Sequence, residues 1–275
     1  MSLPEPVRMS VSDDEQRLGL LLVGHGTRDE RGLAEFRQTA DALRQRLPSV
    51  SQAACFLELA EPTIASGVRQ LVAGGVREIV VLPMMLFAAG HVKRDIPLAV
   101  SAALAECGMA LPIYHASHLS GHERVLQLAA ERFVAAAKTI DTFDPRAATL
   151  LLIGRGSKDE AAIAAMHQFA AALAARVSVA RVSVGFLAMA RPTLADVLAV
   201  AAADPDCRHV IVQPHLLFRG ELLEQLKPRV AAEVARDPRR DWFVAEHLGP
   251  AREIVDAVVD NYFRARQLAG VATES

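Results

Sequence analysis

Short apolar runs alternate with longer amphipathic segments along the chain. Residues 18–23 form an uninterrupted apolar run, and residues 30–47 then place apolar side chains at helical spacing as far as Pro48. The alternation continues with predicted strands at 52–59, 78–82 and 111–115 and predicted helices at 62–73, 95–106 and 123–138. Pro62 is expected in the first turn of the second helix. Short apolar strands between helices indicate a parallel sheet covered on both faces.

The same pattern recurs in the second half of the chain. The segment LLLVGHGTRDE at 20–30 aligns with LLLIGRGSKDE at 150–160, and FLELAEPT at 56–63 aligns with FLAMARPT at 186–193, both at an offset of 130 residues. Two further matches follow in order at nearly the same spacing: VLPMMLF at 81–87 with VQPHLLF at 212–218, and His118-Leu119 with His247-Leu248. Four ordered matches indicate a tandem duplication.

The fold prediction is therefore an α/β protein of two tandem lobes, each a flavodoxin-like or Rossmann-like doubly wound parallel sheet. The N-terminal lobe is expected to span residues 18–140 and the C-terminal lobe residues 147–275, with a linker at 141–146. Residues 1–17 are polar and lack the apolar centre of a signal peptide, so we expect a disordered leader there.

Composition narrows the classes of function. Hydrophobic residues make up 52% of the chain and aromatic residues 5%, which suits helices packed on aliphatic strands. The formal net charge of −2 provides no global attraction for nucleic acid or an acidic membrane. No apolar run is long enough to cross a bilayer, and the three cysteines lack the spacing of a zinc site or a disulfide framework. We therefore expect a soluble cytoplasmic protein.

Candidate metal ligands follow three predicted strands of the first copy. Ligands of an open parallel sheet bind beyond the carboxyl ends of its strands. His25 follows the first strand, Glu58 ends the second, and His91 lies in the loop after the third, and successive members are 33 residues apart in sequence. In a 2-1-3-4 strand order these strands are neighbours, so the three side chains can meet. Two imidazoles and a carboxylate suit cobalt, iron, nickel or zinc, and three ligands leave coordination positions open.

The second copy acts as an internal control for this hypothesis. Arg155 stands at the position of His25, Ala188 stands at that of Glu58, and the loop at 219–222 contains no histidine. The flanking glycines, phenylalanines and prolines persist in both copies. Residues that served only the fold would be needed twice, so the joint loss indicates that the three act as one unit. Cys55, by contrast, is interpreted as a core residue and His118 as a turn or cap residue.

Three segments resemble the class II tetrapyrrole chelatases, in particular the sirohydrochlorin cobaltochelatases of the CbiX type and the related sirohydrochlorin ferrochelatases. They are GHGTR at 24–28, FLELAEP at 56–62 and LFAAGHVKRDI at 86–96. The resemblance covers almost the whole chain from about Leu18 and implies a chelatase-like fold with a tetrapyrrole between two lobes. It also places the metal site of the family on His25, Glu58 and His91.

The resemblance further implies what the protein acts on. The expected substrates are sirohydrochlorin or a related tetrapyrrole and a divalent metal ion, with Co²⁺ expected first and Fe²⁺ or Ni²⁺ as alternatives. No nucleotide is expected, because the chain contains no Gly-x-x-x-x-Gly-Lys-Ser/Thr motif. One of the two histidines would accept a pyrrole proton, and Glu58 would carry a second one away. A fused chain that contains both lobes is expected to act as a monomer.

A flat apolar ring that carries carboxylates requires an apolar slot with basic residues at its rim. The candidate substrate-binding residues are Arg28, Lys93, Arg94, Arg155 and Arg219. Any of them can equally be an ordinary solvated surface charge, and Arg155 is the sharpest candidate because it occupies the mirror position of a metal ligand.

Three other functions remain open from the sequence. The protein could be a sirohydrochlorin ferrochelatase, or a carrier that binds metal or tetrapyrrole without turnover. A histidine phosphatase is the third, because Gly24-His25-Gly26 with Arg28 is similar to an Arg-His-Gly phosphate site. Gly24 stands where that site has arginine, and the phosphatase mechanism gives no role to Glu58.

Overall fold

The computed structural model describes residues 18–87 and 94–273. The first half contains β1 (Leu18–Gly24), α1 (Glu30–Arg46), β2 (Ser51–Phe56), α2 (Ile64–Ala73), β3 (Glu78–Pro83), α3 (Ile96–Glu106), β4 (Ile113–His115) and α4 (Glu123–Ala137). The second half contains β5 (Ala148–Gly154), α5 (Glu160–Ala174), β6 (Arg181–Phe186), α6 (Leu194–Ala203), β7 (His209–Pro214), α7 (Glu221–Arg236), β8 (Asp241–Val244) and α8 (Arg252–Thr273). None of these described helices is long and apolar enough to span a membrane.

The strands form two parallel four-stranded sheets with the same topology. Their orders are β2-β1-β3-β4 and β6-β5-β7-β8, so the predicted 2-1-3-4 order and the two α/β lobes are confirmed. Equivalent pairs occupy equivalent registers: Gly24 lies opposite Phe56 in the first sheet, and Gly154 lies opposite Phe186 in the second. The duplication is therefore preserved in the strand pairing itself.

Two predicted boundaries in the first copy are wrong, the end of the second strand and the start of the second helix. Strand β2 ends at Phe56 rather than at residue 59, because the chain turns back there and the Phe56 N–H donates to the Pro62 carbonyl at 2.8 Å. Helix α2 begins at Ile64 rather than at Pro62. Thr63 is its N-cap, and the Thr63 hydroxyl accepts a hydrogen bond from the Ser66 N–H. A hydroxyl that satisfies a free backbone donor defines a helix start more effectively than the preset φ of proline.

Alternate residues of the central strands face opposite helical layers. In β1, Leu20 and Leu22 belong to one buried cluster, whereas Leu21 and Val23 pack with residues of α2 and α3 in another. All four side chains are at most 2% exposed. An uninterrupted apolar strand thus packs against helices on both faces of the sheet, as expected for a parallel sheet that is covered on both sides.

The last helix of each repeat packs against the sheet of the other repeat. Helix α8 lies on α1, β3 and β4 of the first lobe, and helix α4 lies on β7 and α5 of the second. Hydrogen bonds between the lobes accompany this packing of each closing helix on the other lobe. The Asn261 side chain donates to the Ser117 carbonyl at 3.1 Å, and the Gln213 side chain donates to the Ala129 carbonyl at 2.8 Å. The larger buried cluster consequently runs through both lobes.

Aromatic contacts close the interface between the lobes. Phe36 of α1 lies between Phe56 and Phe218, with ring centroids 4.6 and 5.9 Å away. His215, which directly follows β7, lies between Phe87 and Phe169, with ring centroids 5.4 and 4.2 Å away. Burial lowers the pKa of His215 to about 3, so the imidazole stays uncharged in this apolar contact.

Because α8 packs against the first lobe, a cavity made in α8 should destabilise the strands of that lobe. Tyr262→Ala removes a side chain that is 1% exposed, and we expect it to lower the free energy of unfolding by about 3–5 kcal/mol. Hydrogen exchange should show the loss of protection in β3 and β4 of the first lobe, against which α8 packs. The neighbouring Phe263→Ala is the control, because Phe263 is 42% exposed. Loss of protection confined to β5–β8 would contradict this packing.

Candidate metal site

The loops after β1 and β2 are joined by backbone hydrogen bonds beyond the ends of the strands. The Leu57 N–H donates to the Gly24 carbonyl at 2.9 Å, and the Glu58 N–H donates to the His25 carbonyl at 3.1 Å. Gly26 makes this approach possible: its φ is 95°, and a Cβ there would lie 1.8 Å from the Glu58 carbonyl oxygen. The GHG sequence is therefore a steric requirement for placing His25 beside Glu58.

His25 lies between an acidic and a basic side chain. Its Nδ1 is 3.5 Å from Glu58 Oε1, and its Nε2 is 3.2 Å from Nη1 of Arg155 in the second lobe. An arginine can only donate, so Nε2 accepts in this contact and the ring proton lies on Nδ1, towards the carboxylate. The His25 side chain is 25% exposed and that of Glu58 is 49% exposed. Both remain accessible from solvent and hence to an incoming ion.

Two of the three predicted ligands are thus adjacent, and they meet where the two lobes meet. His91 and the candidate Lys93 lie outside the described residues. In the described ranges 18–87 and 94–273, no group of three or more His, Cys, Asp or Glu side chains could hold a metal ion. The three-ligand site stays a prediction.

The structure separates the candidate basic residues. Arg155 contacts His25, whereas Arg28 is exposed in the loop between β1 and α1. The Arg94 side chain is 76% exposed, and its Nε lies 3.2 Å from Asp95. Arg219 is bonded to Glu35 of the first lobe. Its Nε and its backbone N–H both donate to Glu35, at 3.1 and 2.7 Å.

Glu35 is an inter-lobe residue that the sequence analysis missed. Its carboxylate, on α1, receives Arg219 and also lies 3.1 Å from Nε2 of His247. The repeat contained a signal for this contact, because the mirror positions of Glu35 and Arg219 are both alanine, Ala165 and Ala88. Glu35 belongs to the first copy and Arg219 to the second, and the mirror-related pair of Ala165 and Ala88 carries no charge, so this ion pair can form on only one side of the inter-lobe contact.

Two residues set aside in the sequence analysis have the structural surroundings expected of them. His118 Nδ1 lies 2.9 Å from the Leu86 carbonyl, a contact that supports the loop after β3. Cys55 is fully buried, and burial raises the pKa of its thiol to about 12. A thiol that stays protonated is a core group and a poor metal ligand.

Two similar parallel-sheet lobes define a two-lobed α/β protein, with ionisable side chains gathered at the carboxyl ends of the strands where the lobes meet. The chain belongs to the CbiX family, which it matches over residues 19–136 and 149–265. Both repeats are therefore copies of the same family unit.

Known relatives agree with this assignment. The chain is 29% identical to the sirohydrochlorin ferrochelatase of Priestia megaterium over 230 residues, which cover 84% of each chain. It is 28% identical to the sirohydrochlorin cobaltochelatase of the same organism, over 84% of this chain and 74% of that one. The solved structure of SirB from Bacillus subtilis with Fe³⁺ is 26% identical and superimposes with a TM-score of 0.81, over 92% of this chain and 98% of SirB.

The close approach at Gly26 predicts an unusually costly glycine substitution. Gly26→Ala should lower the free energy of unfolding by about 3 kcal/mol or more, because backbone must move away from the Glu58 carbonyl. Gly75→Ala is the matched control: its φ is 80°, but a Cβ there meets nothing within 4 Å, so only conformational strain of about 1 kcal/mol is expected. Chemical denaturation measures both. Equal losses would show that the close approach is not a constraint.

Proposed function

We propose that this protein is a sirohydrochlorin chelatase that inserts Co²⁺ into sirohydrochlorin without a nucleotide. The observation that carries the proposal is the pairing of His25 with Glu58 at the carboxyl ends of neighbouring strands, opposite Arg155 of the second lobe. Membership of the CbiX family and similarity to relatives named as sirohydrochlorin chelatases support the same reaction.

His25, Glu58 and His91 would hold the incoming metal ion as a substrate. A neutral imidazole and a carboxylate 3.5 Å apart are suitable donors for a divalent ion, and the exposure of both leaves a route from solvent. Arg155 now occupies the Nε2 lone pair of His25, so a metal ion that uses this nitrogen must displace the guanidinium. A carboxylate of the tetrapyrrole is a stronger partner for Arg155 than a neutral imidazole, and it would draw the arginine away.

Insertion replaces two pyrrole N–H bonds with metal–nitrogen bonds, so two protons leave the ring for each metal ion that enters. One histidine of the site would accept the first proton after it releases the metal. Glu58 would take the second and pass it to solvent, to which its side chain is half exposed. Charge balances, because one divalent cation replaces two protons and no redox step or nucleotide is required.

The choice of Co²⁺ rests on the resemblance to the cobaltochelatases, and a sirohydrochlorin ferrochelatase is the alternative within the same reaction. The donor set suits both ions, and the relatives carry both names. A carrier that binds without turnover is the alternative from another class. Action as a monomer belongs to the proposal, because one chain supplies both lobes. A cytoplasmic location belongs to it on the ground of the few, scattered cysteines.

Anaerobic incubation with sirohydrochlorin and either Co²⁺ or Fe²⁺, followed by absorbance, tests the reaction and compares the metals. We expect His25→Ala and Glu58→Ala each to lower kcat/KM by about a hundredfold or more, because each removes a donor. The same loss is expected for His91→Ala. His167→Ala is the control, because this exposed histidine lies on α5 of the second lobe. Normal insertion by His25→Ala would remove the proposed site, and binding without spectral change would favour the carrier.

Arg155→Ala separates substrate binding from chemistry. We expect KM for sirohydrochlorin to rise by about tenfold with little change in kcat, because a charge-assisted contact to a carboxylate is lost. Arg155→Lys should recover part of the affinity. Arg239→Ala is the control, since the Arg239 side chain is 91% exposed and pairs with Asp237 of its own turn. An unchanged KM would exclude Arg155 from substrate binding.

A further inference from the structure

Two large apolar side chains stand exposed at matching positions of the two lobes. Leu59 lies in the loop after β2 and Met189 in the loop after β6, 130 residues later, and they are 52% and 50% exposed. The other large apolar side chains that are exposed in the described part of the chain all lie on helices: Leu98, Val134, Val200, Val234 and Phe263. Leu59 and Met189 are therefore distinguished by their loops as well as by their exposure.

The backbone at both positions is strained. Leu59 has a φ of 63° and Met189 a φ of 58°, and within the described residues no other non-glycine residue has a positive φ. Glycine and asparagine adopt this conformation at lower cost than leucine or methionine. A requirement of the backbone alone would favour one of those two residues. Both copies instead keep a large apolar side chain, although the preceding residue changed from Glu58 to Ala188.

Both loops flank the place where the lobes meet. Leu59 follows Glu58, whose N–H donates to the His25 carbonyl at 3.1 Å, and Met189 follows Ala188, whose N–H donates to the Arg155 carbonyl at 2.8 Å. Since His25 and Arg155 lie 3.2 Å apart across the lobes, the loops that carry Leu59 and Met189 approach the junction of the lobes from its two sides.

We propose that Leu59 and Met189 are paired apolar contacts for the macrocycle of the tetrapyrrole substrate, one from each lobe. This inference rests on the proposed function and names two binding residues of the same cleft. A flat apolar ring between two similar lobes needs apolar surface on both, even where only one lobe supplies metal ligands. The retention of both side chains, despite strain and exposure, satisfies that need. Binding removes their apolar surface from water, and a thioether packs favourably against a conjugated ring.

The test uses Leu59→Asn and Met189→Asn, because asparagine accepts a positive φ and lacks the apolar surface. Titration with metal-free sirohydrochlorin, followed by absorbance, should show Kd raised by about tenfold for each variant. The melting temperature should stay the same or rise, since strain is relieved. Leu59→Met should bind like wild type. Leu98→Gln and Val200→Gln are matched controls, which remove exposed apolar side chains on helices and should leave Kd unchanged.

The outcomes distinguish this inference from the proposed function. Wild-type affinity in both asparagine variants would overturn the paired contacts while leaving the chelatase proposal intact. A raised Kd together with a fall of several degrees in melting temperature would show that the two residues stabilise the fold, and it would also overturn the inference. If the wild-type protein does not bind sirohydrochlorin, the proposed function and this inference both fail. If His25→Ala weakens binding and neither asparagine variant does, only the inference fails.

Discussion

The site depends on the parallel pairing of β1 with β2 on one side and β3 on the other. The ladder does not stop where the strands end, because the Glu58 N–H still bonds to the His25 carbonyl at 3.1 Å. Gly26 permits that extension by leaving room for the Glu58 carbonyl. The backbone segments that carry the imidazole and the carboxylate are therefore joined by main-chain hydrogen bonds. The second lobe repeats the extension with Arg155 and Ala188.

Much of this arrangement was predictable from local sequence. The strands and helices follow from apolar periodicity, and the equivalence of the lobes follows from the repeat. The meeting of His25 with Glu58 follows once the flavodoxin-like 2-1-3-4 strand order is adopted for these elements. The end of β2 was not predictable in the same way, because Leu57 and Leu59 continue the alternation of apolar residues on either side of Glu58. A hydrogen bond from Phe56 to Pro62 turns the chain, and apolar pattern carries no information about such a bond.

The exchange of the closing helices and the pairing of Glu35 with Arg219 were beyond the sequence for a different reason. Periodicity states which face of α4 or α8 is apolar, but two similar sheets offer two similar places to bury that face. Likewise, a surface arginine can pair with any acid within reach, and Glu35 is 184 residues away from Arg219 along the chain. Partner choice over such distances is a property of the folded chain, and the alanines at the mirror positions were the available hint.

Fusion of the two copies explains why the site can be asymmetric. In a dimer of identical lobes, a two-fold axis through this cleft would place each ligand opposite its own copy, and a substitution would change both sides together. In the fused chain, the residue opposite His25 is free to become Arg155 while His25 stays. One lobe can then keep the proposed metal donors while the other carries a cation at the facing position. The same freedom allowed Glu58 to become Ala188, yet Leu59 and Met189 both remain apolar. Divergence at charged positions and retention at apolar ones are what a ligand with one metal-binding centre and two apolar faces would require.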